Sequence, residues 1–166
     1  MSAISIPTVT TSYRAVNWKL ALAVALVIAA ISGMISPLGP LGDFWRPPAH
    51  MLMVNEVQMP FLILLGMTEA FCFGLGTSFL IFGYPMLKAI KPVSINLIRI
   101  THFAITWLLG NWWLHDSLHL HFGMSDMTML LIVDYSFHMT LMLAAAIVVY
   151  FFLTLMEVKI PTRWRK

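Results

Sequence analysis

Charge is scarce in this chain. Lys, Arg, Asp and Glu make up 10% of its 166 residues, whereas hydrophobic residues make up 60%. The mean hydropathy is +0.85. That balance excludes an ordinary soluble domain and points to an integral membrane protein. There is a single cysteine, Cys72, so an intrachain disulfide and a Cys-based metal motif are both excluded. Strand-type alternation of polar and apolar residues is missing, which argues against a membrane barrel. No Gly-rich phosphate loop is present, since Gly74-x-Gly76 lies inside an apolar run. No Ser-His-Asp or Cys-His arrangement points to a hydrolase. The polar segments are too short to form a separate domain, and no repeat is visible.

What remains are four apolar stretches: about 18–36, 59–84, 95–118 and 127–156. About 20 residues are needed to cross hydrocarbon, and a span must satisfy its own backbone polar groups. The expected fold is therefore an all-α, multi-pass integral membrane protein, a single four-helix domain over residues 1–166. The first stretch has the layout of a signal peptide, with Arg14 and Lys19 before an apolar run and small residues after it. We read it as a retained helix, ended by Pro37, Gly39 and Pro40.

Lys and Arg cluster before the first span (Arg14, Lys19), around the second loop (Lys88, Lys91, Arg99) and after the last span (Lys159, Arg163, Arg165, Lys166). The positive-inside rule then places both termini and that loop in the cytoplasm, as in an inner or cytoplasmic membrane. The net charge of +3 follows from this bias and requires no nucleic-acid partner. Trp45, Trp112 and Trp113 suit one membrane interface and Trp18 and Trp164 the other.

Against this background the ionisable residues inside the spans stand out: Glu69, Asp134 and His138, with His115 and His119 closing the third run. Charge in hydrocarbon is costly, so such residues face a protein interior and mark a function. Asn111, His115 and His119 recur every four residues, as do Asp134 and His138, so each set forms one helical stripe. A short turn around Phe122–Asp126, pivoting on Gly123, makes the last two helices antiparallel neighbours. Folding that hairpin sets His115 level with Asp134 and Asn111 level with His138. Glu69 falls at a similar depth on the second helix. There Gly66, Ala70, Gly74 and Ser78 form a small-residue stripe for close packing.

The expected metal ligands are His115, His119, Asp134 and His138, with Glu69 and Asn111 as outer support. His50, Glu56 and His121 approach from the loops. Imidazoles and carboxylates suit copper, iron or zinc. Copper also draws on Met51, Met53, Met59, Met124, Met127 and Met129, since thioethers favour Cu(I). His102 lies on the opposite face of the third helix from this stripe. It is the candidate axial ligand if the chain holds a haem or chlorophyll-type pigment instead.

The string H-D-S-L-H at His115–His119 resembles the first histidine box of membrane fatty-acid desaturases and hydroxylases. That likeness covers five residues, and the H-x-x-H-H boxes of those enzymes have no counterpart here. The D-x-x-x-H of Asp134 and His138 is similar to part of the Asp/His copper site of membrane copper monooxygenases. The functional expectation is a subunit of a multi-subunit membrane redox or oxygenase-type complex, partnered by other integral membrane subunits and lipids. The alternatives are a non-catalytic scaffold that binds lipid or pigment, and a small metal or proton transporter.

Overall fold

The computed structural model describes residues 16–45, 55–89, 93–122 and 127–156. They form four helices: α1 (Trp18–Ile35), α2 (Met59–Lys88), α3 (Ile95–Phe122) and α4 (Met127–Leu155), plus a short 3₁₀ turn at Gly42–Phe44. No strand occurs among the described residues. Three of the helices, α1, α2 and α4, are long and apolar enough to cross a membrane. The third carries Arg99, Asp116 and four histidines among its 28 residues, which dilutes its apolar content.

Local chemistry accounts for the helix ends. Asn17 caps α1, its side-chain oxygen accepting from the Leu20 N–H at 3.2 Å. Before α2, the Gln58 N–H donates to Asn55 Oδ1 at 2.9 Å and the Asn55 N–H to Gln58 Oε1 at 3.4 Å, a reciprocal capping box. Ser94 Oγ accepts from the Leu97 N–H at the start of α3. Two helices outrun the apolar stretches that announce them. α2 runs one turn past Tyr84, through Pro85 to Lys88, and the Ala89 N–H closes that turn on the Pro85 and Met86 carbonyls. α3 continues to Phe122, so His119 and His121 are helical rather than loop residues. The expected pivot at Gly123 lies outside the described residues.

The helices pack in chain order: α1 on α2, α2 on α3, α3 on α4. Glycine sets the first two contacts. A Cβ on Gly74 would run into the Ala25 carbonyl oxygen and lie 3.0 Å from the Ala29 Cβ. Two residues on, and so on the other side of α2, a Cβ on Gly76 would sit 3.0 Å from the Gly110 nitrogen of α3. Four residues beyond Gly74, Ser78 Oγ donates to the Ala21 carbonyl at 2.7 Å. The small-residue stripe of α2 thus finds its partner in α1. At the opposite end of α3 from the histidine stripe, Leu87, Ile98 and Phe151 form a buried apolar cluster. α3 lies between α2 and α4, and both of its flanks carry the polar residues described next.

Candidate metal centre

His115 and His119 are one helical turn apart, so both rings leave α3 on the side that meets α4. Opposite them stands Asp134. Its Oδ1 lies 2.9 Å from His119 Nε2 and 3.4 Å from His115 Nε2. The three ligating atoms all lie within 4.8 Å of one another. Two donors each about 2.1 Å from a common metal, at angles from octahedral to tetrahedral, stand about 3.0–3.4 Å apart. The two histidine–carboxylate separations, 2.9 and 3.4 Å, are close to that range.

Aromatic packing holds the imidazoles in place. The His115 ring centroid is 4.4 Å from that of His119, 5.2 Å from Phe137 and 6.2 Å from Trp112. Phe137 in turn stacks on Trp107 at 5.5 Å, and Trp107 Nε1 donates to Thr140 Oγ1 at 3.0 Å. These two helices are therefore clasped at two levels, by the His–Asp group and by the Trp–Thr bond. Neither Trp107 nor Thr140 belongs to the polar stripes visible in the sequence. Only their hydrogen-bonding groups inside an apolar run could have drawn attention to them.

His115 and Asp134 stand at the same depth, as the hairpin geometry predicts, with Nε2 3.4 Å from Oδ1. His138 sits beside the group in a different role. Its Nδ1 donates to the backbone carbonyl of Asp134 at 2.7 Å and lies 3.8 Å from Asp134 Oδ1. Its ring centroid is 5.2 Å from that of His115. Nε2 of His138 is then its free lone pair, on a side chain 55% exposed. Asn111 is fully buried, and its amide nitrogen donates to the Trp107 and Leu108 carbonyls of its own helix. Its Oδ1 has no hydrogen-bond partner among the described residues.

Glu69 does not reach the histidines directly, because α3 intervenes between α2 and α4. It lines a small cavity together with Asp116 instead. Asp116 Oδ1 in turn accepts from His115 Nδ1 at 2.9 Å. Asp116 was not singled out by the four-residue spacing that marks the stripe. Its signal was an acidic side chain adjacent to His115 at the depth of Glu69.

The remaining candidates lie elsewhere. His121 Nδ1 donates to the Trp45 carbonyl at 3.1 Å, and its ring stacks on Phe44. It anchors the segment after α1. Glu56 is exposed at the start of α2, and His50 lies outside the described residues, as do Met51, Met53 and Met124. His102 is buried on the α2 side of α3, where Nε2 donates to the Phe79 carbonyl at 2.9 Å among Phe79, Tyr84 and Phe103. That bond occupies one ring nitrogen with α2 backbone. No protein family, curated protein or solved structure matches the chain.

Proposed function

We propose that this chain is a metal-holding subunit of a membrane redox or oxygenase-type complex, with His115, His119 and Asp134 as the metal ligands. The observation that carries the reading is the convergence of two imidazole nitrogens and one carboxylate oxygen between helices, about 10 Å along α4 from its first residue. A charged group there costs a few kcal/mol unless something is gained by it. Two histidines and one carboxylate with open positions are the set used by non-haem iron(II) oxygenases, and three protein ligands with an open position also suit catalytic zinc. Copper fits the imidazoles, and methionine sulfur near the start of α4 would favour its reduced form. In this reading α3 is the fourth span, its polar flanks covered by α2 and α4. Lys/Arg bias then sets both termini on the cytoplasmic side.

The need for partners follows from exposure. The Asp134 side chain is 40% exposed and that of His138 55%, on a helix apolar enough to span. Lipid cannot solvate these groups, so a neighbouring subunit covers this flank.

Elemental analysis of the purified native complex tests the reading. Wild type should carry one transition metal per chain, and Asp134→Ala and His119→Ala should each lose most of it, while His121→Ala keeps it. A second reading rests on the same 2.9 Å contact, which is also a hydrogen-bond length: a polar clasp without metal, in a scaffold subunit. Asp134→Asn separates the two. A clasp keeps function with the amide, whereas a metal site loses its metal. Full function with no metal in either protein would sink the site.

A further inference from the structure

We propose that Asp116 is the positioning residue of this centre. It holds His115 in the tautomer with its hydrogen on Nδ1, so that the Nε2 lone pair is presented to the space shared with His119 and Asp134. The inference rests on the metal-site reading above and adds the residue that makes His115 a ligand. Both nitrogens of His115 face carboxylate oxygens, which can only accept; the contact of Nδ1 with Asp116 Oδ1, at 2.9 Å, is the shorter by half an ångström than that of Nε2 with Asp134 Oδ1, at 3.4 Å, and so takes the hydrogen. The opposite nitrogen, Nε2, is the one that faces Asp134. The ring cannot readily turn over to exchange the two nitrogens. Its side chain is 10% exposed and is boxed in by Trp112, Phe137, His119 and His138.

Asp116 itself is braced from the other side. As the next residue along α3, it leaves the helix about 100° away from His115, toward α2. There it lines a small cavity with Ser36, Gly66, Glu69, Trp113 and Ser117. Gly66 and Glu69 of α2 thus face Asp116 across that cavity, and α2 is itself locked to α1 at Gly74. A ligand on the α4 side of α3 is thus oriented by a carboxylate set on the α2 side of the same helix. Outer partners of this kind fix ring orientation and raise ligand basicity, and losing one typically costs 10- to 100-fold in metal affinity.

The test is zinc titration of the purified complex, with ¹⁵N-histidine NMR of the metal-free protein as a second readout. Asp116→Ala should weaken zinc binding about 10- to 100-fold. Asp116→Asn should recover part of the loss, because its amide oxygen still accepts from Nδ1–H. Glu69→Gln, across the shared cavity from Asp116, should fall between wild type and Asp116→Ala. Wild-type His115 should show the Nδ1–H tautomer without metal, and Asp116→Ala should lose that preference. An Nε2–H tautomer in wild type would overturn the proposal, as would an Asp116→Ala affinity within about twofold of wild type. A wild type that binds no zinc would overturn the metal centre itself. The tautomer, read without metal, distinguishes that failure from a failure of Asp116.

Discussion

The two sides of this molecule are joined by opposite means. Between α1 and α2 the backbones themselves touch: Gly74 leaves no room for a side chain against Ala25, and Ser78 bonds the Ala21 carbonyl. Between α3 and α4 the backbones are held by long polar side chains, His119 to Asp134 and Trp107 to Thr140, with His115 Nε2 3.4 Å from the same carboxylate oxygen. In lipid there is no hydrophobic drive between helices, so association rests on close packing or on interhelical hydrogen bonds. This chain uses one device on each side. Close packing is insensitive to metal and to protonation. The polar side carries groups that a metal can recruit, at the cost of holding an acid inside a span.

Three perturbations sharpen that contrast. The largest effect is expected from Gly74→Leu. The added side chain meets backbone, which cannot swing aside as a flexible side chain would. The destabilisation should reach about 3 kcal/mol, the upper end for overpacking, read as lower thermal stability in detergent. Zinc binding per folded molecule should survive. If Gly74→Leu is as stable as wild type, the α1–α2 contact is not the rigid half.

Asp134→Ala should come next. It strips both histidines of their partner and should cost about 1–2 kcal/mol, the range for interhelical polar contacts in membranes. Hydrogen exchange should rise in α4 and not in α1. Equal rises in both helices would show that the polar clasp supports the whole molecule. The smallest effect belongs to Thr140→Val, which removes one interhelical hydrogen bond, that from Trp107, together with the hydroxyl's bonds to the Ser136 and Phe137 carbonyls of its own helix, while preserving shape. About 0.6 kcal/mol is expected, with metal content unchanged. Loss of metal in this variant would mean that the two levels of the α3–α4 clasp act as one.

Much of this architecture was legible in the residues. Long apolar runs in a chain that must satisfy its own backbone become helices, whatever surrounds them, and three of the four are apolar enough to span. The Gly66, Ala70, Gly74 and Ser78 stripe marked a face built for close approach. Four-residue spacing put His115 and His119 on one side of a helix, and hairpin arithmetic set His115 against Asp134. These are consequences of local geometry: a 3.6-residue turn and a short connection fix relative depth and face.

Tertiary packing decided the rest, because periodicity says which face is special and not what will occupy it. That α1 covers the glycine stripe, and that α3 stands between α2 and α4, follows from how four similar helices share their surfaces. With that order settled, Glu69 came to line a cavity with Asp116 instead of meeting the histidines. The same packing left His138 Nδ1 on its own helix backbone and His102 on the Phe79 carbonyl. Asp116 shows the division most clearly. The sequence by itself determined that an acid would follow His115 in a helix. Only the walls that α3 and α4 place around the His115 ring decided that its Nδ1 meets that acid and its Nε2 faces Asp134.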